Sequence, residues 1–271
     1  MNLCAADLTS ILKAQRREQQ ADLPPYDASA IARHAIVRHM HTQGAPPESA
    51  LAIDAREFRL HWPRSEESRT VTSTWNVDDE AVSAAQASAT QMGVTLNSFL
   101  LATLAWVLHD VSEQPCFAIS QTYLGRTMEE LRAVGSYSVT VPMVFDFSEP
   151  ITLDRVCRHA QGEMLRSLAL DVIVQSTQLT TVAYELNDVR PIERPVEAKR
   201  RPSSFALVDL FFLVNQYSDG YGMMVLYDEG KFDAEWVNER VEQWMQLWQG
   251  VCECTFEYGV MPESTARSPS T

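Results

Sequence analysis

Residues Leu96 to His109 read LNSFLLATLAWVLH, and almost no helical face of that segment is polar. Phe99, Leu100, Leu101, Leu104, Trp106, Val107 and Leu108 surround its axis. A helix that is apolar all round must be enclosed by other elements, so the chain has to fold around this one. Thr95 stands where an N-cap is wanted, and Gly93 ends a preceding helix that runs to Met92. Asp78 and Asp79 open that preceding helix, their carboxylates suiting its free N–H groups. Upstream, Val71, Ser73, Trp75 and Val77 alternate with Thr70, Thr72, Thr74 and Asn76, the period of a strand with one buried face.

Elsewhere the same two periods recur. Leu8, Ile11 and Leu12 mark a surface helix from Leu3 to Gln20, and Asp27 caps a second one toward Met40 that Gly44-Ala-Pro-Pro47 stops. Short strands are expected at Cys116–Ser120 and Tyr137–Phe145. Thr152 caps a helix from Leu153 to Leu170. A loop rich in Pro and Arg spans Arg190 to Pro202. Strands Phe205–Gln216 and Gly222–Tyr227 then join through Ser218-Asp-Gly220, a hairpin signature. The last helix, Ala234 to Cys252, carries Trp236, Val237, Val241, Trp244, Met245 and Trp248 on one broad stripe. Strands alternating with long helices give a layered α/β architecture.

Composition narrows the function. The 271 residues are 45% apolar and carry 22 basic against 36 acidic side chains, a net charge of −14. That is a globular composition. It argues against a grip on nucleic acid or anionic membrane, which needs clustered Lys and Arg. No stretch is long and apolar enough to span a bilayer and the N-terminus lacks a signal-peptide pattern, so a cytoplasmic location is expected. The cysteines number 5 and most lie in apolar runs, as reduced core thiols do. Cys252-x-Cys254 has no second pair at zinc-like spacing, and no metal site is expected.

The common local signatures of hydrolases, phosphate loops, dinucleotide sites and zincins are absent. Of the 6 histidines, His109 and His159 each have a glutamate four residues on, at Glu113 and Glu163, a spacing that can orient an imidazole. A histidine closing a buried helix is also favoured by the helix dipole alone. The one basic concentration, Arg190 to Arg201, is either a docking patch for an acidic partner or a solvated linker.

Several segments, in order, resemble the condensation domains of nonribosomal peptide synthetases, within the chloramphenicol acetyltransferase-like fold. Val77-Asp-Asp-Glu through Val107-Leu resembles the family's helix pair. Ala118-Ile-Ser-Gln-Thr-Tyr-Leu-Gly-Arg126 is similar to a family strand and turn, and Val134 to Pro142 to its following strand. Phe211-Phe-Leu-Val-Asn215-Gln resembles a third strand, and Phe232-Asp-Ala the closing segment. The resemblance covers roughly Val71 to Val251 and extends weakly to Leu8–Ala35. It implies a chloramphenicol acetyltransferase-like lobe, a central mixed sheet covered by long helices. The expected division is a helical segment and linker over 1–68, a C-terminal condensation lobe over 69–255, and a disordered tail over 256–271.

The family's His-His-x-x-x-Asp-Gly motif, which supplies the base or positioner, falls ahead of the matched region. By resemblance, then, this chain is the C-terminal lobe of a split or truncated condensation domain and holds no catalytic residue of its own. Completed by an N-terminal lobe, it would act as an acyltransferase in natural product biosynthesis, nonribosomal peptide or hybrid polyketide. The acyl or peptidyl group would pass from a carrier-protein thioester to an amine or hydroxyl. Ser138, Thr140 and Asn215 would line the tunnel, and Arg126 would brace the partner motif's Asp. The implied partners are an acyl or peptidyl carrier protein, docking at Arg194, Lys199, Arg200 and Arg201, and an N-terminal lobe, a synthetase subunit or a second copy. No bound cofactor is implied, the carrier's phosphopantetheine arm being substrate. Two alternatives remain: a non-catalytic scaffold that binds a carrier, and a self-contained acyltransferase using His109 or His159. The resemblance departs at Val139, Ser120 and Leu170–Gln175, where the family's motif Asn, strand Gly and "hqdvPfe" segment would stand.

Overall fold

The computed structural model describes residues 69–112, 114–124, 138–169, 181–189, 201–202 and 208–250. The expected helices before residue 69, the segment around Arg126, most of the basic loop and the tail lie outside the described residues.

The alternating run at the start forms strand β1 (Thr70–Val77), with Val71 and Val77 buried and Asn76 exposed. Helix α1 (Asp79–Met92) follows, with Ala81, Ala85, Ser88 and Ala89 inward. Asp78 occupies the N-cap, but its side chain accepts no capping hydrogen bond, so the acidic start acts through charge near the helix N-terminus rather than through a cap. Gly93 ends the helix at φ 70°, and its N–H donates to Thr90 O at 3.1 Å. A side chain there would meet the left-handed penalty that glycine avoids.

Helix α2 (Leu96–His109) is capped as expected, Thr95 Oγ1 accepting from the Ser98 N–H at 3.2 Å. It is the centre of a four-helix layer with α1, α3 (Leu153–Ala169) and α4 (Ala234–Gly250). Phe99, Leu101, Ala102, Leu104, Ala105 and Leu108 have no exposed surface. Burying each large side chain of this kind contributes roughly 1.5–3 kcal/mol. The expected stripe of α4 packs inward: Trp244 lies edge-on to Trp248 at 5.1 Å, to Phe212 at 5.7 Å and to Tyr184 at 6.1 Å. Thr152 caps α3, accepting from the Arg155 N–H at 3.4 Å.

The remaining strands are β2 (Cys116–Leu124), β3 (Ser138–Asp146), β4 (Val182–Asp188), β5 (Arg201–Pro202), β6 (Leu210–Tyr217) and β7 (Gly220–Asp228). They form a 7-stranded mixed sheet in the order β3-β2-β4-β6-β7-β1-β5. Strands β2, β4 and β6 are parallel neighbours in the middle, and the other pairings are antiparallel. The expected hairpin is a two-residue turn at Ser218-Asp219, with Tyr217 opposite Gly220 at φ 136°, a backbone that glycine alone tolerates well.

Strand β4 is not among the expected elements, although Val182, Tyr184 and Leu186 alternate with Ala183, Glu185 and Asn187. The expected strand from Phe205 begins only at Leu210 within the described residues. Cys116 and Cys157 are buried and unbridged, as expected, and burial pushes the Cys157 thiol up to about 12. No single described helix is long and apolar enough to cross a membrane.

Candidate functional site

Register assigns every strand residue to one of two faces, since side chains alternate. The helix-side face carries Ile119, Val182, Leu210 and Tyr227 in one row, and Tyr184, Phe212 and Val225 in the next. Their burial against the helix layer makes this face the core.

The opposite face, which no described helix packs against, is different in chemistry. Thr140 of β3 pairs with Thr122 of β2, Thr122 with Glu185 of β4, and Glu185 with Leu213 of β6. One step further along the strands, Asn187 pairs with Asn215, and Asn215 with Gly222. Thr122, Glu185, Asn187 and Asn215 all sit toward the carboxyl ends of the parallel strands. Ligands of open α/β sheets bind at that edge, because the strands there end together and their side chains converge.

These groups form three hydrogen-bonded pairs along one face. Thr122 Oγ1 and Thr140 Oγ1 are 3.1 Å apart, either hydroxyl donating. Glu185 hydrogen-bonds with Asn187, two residues along the same face of β4. Burial raises the Glu185 carboxyl above its ordinary value, and the bond to Asn187 opposes the shift. Tyr217 repeats the arrangement on β6: burial raises its phenol, its hydrogen bond with Asn215 opposes this, and Asp219 adds to the rise. Gly222 makes room for that tyrosine, because a Cβ built there would lie 3.0 Å from Tyr217 Cε2.

Of the tunnel residues expected from the sequence, Thr140 and Asn215 lie on this face, about 14 Å apart across three strand spacings. Asn215 is 6% exposed. Ser138 ends the ladder opposite Leu124, two residues along β3 from Thr140. Arg126, Arg194, Lys199 and Arg200 fall outside the described residues, while Arg201 forms β5 opposite Thr72. Glu185, Asn187, Thr122 and Tyr217 were not expected. The alternation in β4 is the signal that could have found the first two.

The two candidate histidines belong to the other layer. The His109 ring stacks on Phe147 with centroids 4.1 Å apart and planes 6° from parallel, and its Nδ1 is buried without a hydrogen bond. Burial lowers its pKa, against a smaller opposing effect of Asp110. Its spaced partner Glu113 is outside the described residues. His159 Nε2 lies 2.7 Å from Val144 O, and the ring meets Phe145 edge-on at 6.0 Å. Both imidazoles thus pin helices to β3 and the segment after it, on the side of the sheet away from Glu185 and Asn215. Among the described residues, no group of three or more His, Cys, Asp or Glu gathers as a metal site.

No protein-family model matches the sequence, and no curated protein does. Solved structures do resemble it. The condensation domain for chain release from the enacyloxin polyketide synthase superposes with a TM-score of 0.61 at 14% identity, over 85% of this chain and 49% of that one. The first condensation domain of the CDA synthetase gives 0.62 at 16%, over 90% and 59%. The X-domain in complex with OxyB from teicoplanin biosynthesis gives 0.64 at 16%, over 93% and 64%. The chain therefore spans about half to two thirds of the length of these structures. Its mixed sheet with one helical layer is the fold of the condensation domains of nonribosomal peptide and polyketide synthetases, the chloramphenicol acetyltransferase-like fold, over part of their length.

Proposed function

We propose that this chain supplies one wall of a condensation-type acyl-transfer tunnel, the wall being the polar row Thr140, Thr122, Glu185, Asn187, Asn215 and Tyr217. The observation that carries the reading is the gathering of those six residues on the face that no described helix covers, five of them on the parallel strands β2, β4 and β6 and Thr140 on the antiparallel neighbour β3. The condensation-domain fold over part of its length supports it. The reaction joins an amine or hydroxyl to an acyl or peptidyl thioester on a carrier protein. The new C–N or C–O bond forms as the C–S bond breaks, and the nucleophile's proton leaves with the phosphopantetheine thiol. Proton removal falls to a second lobe, because His109 and His159 are committed to the helix side of the sheet. This chain's part is to hold the reactants in attack geometry and keep water away, worth several kcal/mol when well aligned. Arg126 would brace the second lobe's motif, and the cations at Arg194, Lys199, Arg200 and Arg201 would receive acidic carriers.

The test mixes the full chain with a matching first lobe and assays condensation on loaded carriers. Product that falls on Asn215→Ala or Thr140→Val supports the reading; no complex and no product sinks it.

A second reading is favoured by the neighbour that is an X-domain in complex with OxyB. In it the lobe is a docking scaffold without chemistry. It expects carrier or enzyme binding that survives Asn215→Ala, with no product under any combination of lobes.

A further inference from the structure

We infer that Glu185 seats a protonated amino group of the acceptor, so that the preferred acceptor is a diamine or other basic amine; this rests on the acyl-transfer reading of the same face. Glu185 stands two strands from Thr140 and next to Asn187, near the middle of the polar row. An ammonium carries three N–H donors and needs three acceptors. On one face, Thr122 stands opposite Glu185 at one strand spacing, about 5 Å, and Asn187 stands two residues, about 7 Å, further along β4, so the Glu185 carboxylate, the Thr122 hydroxyl and the Asn187 carboxamide oxygen flank one position. They offer what a neutral alcohol or a carboxylate could not use fully.

Charge balance points the same way. The described ion pairs go elsewhere: Arg69 to Glu229, Arg158 to Asp154, Lys231 to Asp209 and Arg240 to Glu239. Among the described residues, none of these cations reaches Glu185. A half-buried carboxylate that no described cation reaches is costly, and a bound ammonium would remove that cost. The ammonium seated here is not the nucleophile, which must attack as a free amine. The acceptor therefore carries a second nitrogen or hydroxyl directed toward the thioester.

The experiment uses the full chain with carbon-13 label in its glutamate carboxyls, titrated with cadaverine, pentylamine and pentanol. Both amines should shift the Glu185 resonance and bind about tenfold more tightly than pentanol, the difference expected of a charged hydrogen bond. Glu185→Gln should abolish that preference, and Glu185→Asp should retain part of it. Equal binding of amine and alcohol, or an amine preference that survives Glu185→Gln, overturns the inference. The wild-type titration reads the site even where a variant fails to fold. Condensation on neutral acceptors without any amine preference removes the ammonium seat and leaves the tunnel. Amine binding at Glu185 with no condensation in the two-lobe assay removes the tunnel and leaves the seat.

Discussion

Trp244 donates its indole N–H to Thr103 Oγ1 at 2.9 Å, tying the last helix to the middle of the apolar one. The same N–H lies 3.1 Å from Leu100 O, and the Thr103 hydroxyl in turn donates to Phe99 O at 2.9 Å. Thr103 is fully buried, so its hydroxyl is a polar bridge inside an apolar layer. Thr103→Val should cost about 0.5–1.5 kcal/mol, since the indole N–H keeps Leu100 O but loses its nearer acceptor, and Trp244→Phe about 2–4 kcal/mol with packing added. Denaturant unfolding followed by fluorescence measures both, and a neutral Thr103→Val would show the bridge to be idle.

Gly222→Ala tests the shape of the polar row. Its Cβ would come within 3.0 Å of the Tyr217 ring, which must tilt away from Asn215. A loss of about 1 kcal/mol is expected, as for mild overpacking. The phenol should titrate closer to its ordinary value once the ring moves toward solvent, read by ultraviolet absorbance against pH.

Glu185 should weaken the fold at neutral pH. Its pKa is raised on folding from 4.5, so the unfolded chain gives up the proton first. The stabilising contribution is whole below that value and is lost as pH rises through the folded one. Glu185→Gln should therefore raise the unfolding midpoint at pH 7 and lose that advantage in acid. Paired with loss of amine binding, that would be the exchange of stability for function common at working sites.

His109 carries the opposite pH dependence. Burial holds it below its ordinary 6.5, so the unfolded chain takes up a proton that the folded one refuses. Its contribution is present above that value and is lost as pH falls through the folded pKa. His109→Phe keeps the stack on Phe147 and should flatten the decline in unfolding midpoint on the acid side. An unchanged profile would place the acid sensitivity elsewhere.

Thr95→Ala should remove the cap of α2 at a cost of about 1 kcal/mol. Gln161 doubles that cap from α3: its Oε1 accepts from the Thr95 N–H at 2.9 Å and from Ser98 Oγ at 2.9 Å. The double change with Gln161→Ala should be non-additive by thermal unfolding, since the two share partners.

Local chemistry made much of this fold legible. The alternation through Trp75, the apolar Leu96–His109, the cap at Thr95, the turn at Gly93 and the hairpin at Ser218-Asp219 are each written within a few residues. Of the helix-opposite face, the sequence pointed to Thr140, Asn215 and Ser138. Glu185 and Asn187 become visible when β4 is placed between β2 and β6, and parallel neighbours so far apart in sequence leave no mark in either strand. Helical spacing to a glutamate says nothing of which face a histidine ring turns to, and Phe147 and Val144 O engage the His109 and His159 rings.

The strand order has a consequence for synthesis. β1 is the first described strand to leave the ribosome, yet its full-length neighbour β7 is the last, and the Arg69 N–H donates to Asp228 Oδ1 across a gap of 159 residues. Until that hairpin emerges, β1 has no long partner and must wait as a naked edge. Pairing at such separation is slow and exposed to mispairing. Nascent chains stalled short of Asp228 should therefore lean on chaperones, and the closing hairpin acts as the clasp that completes the sheet.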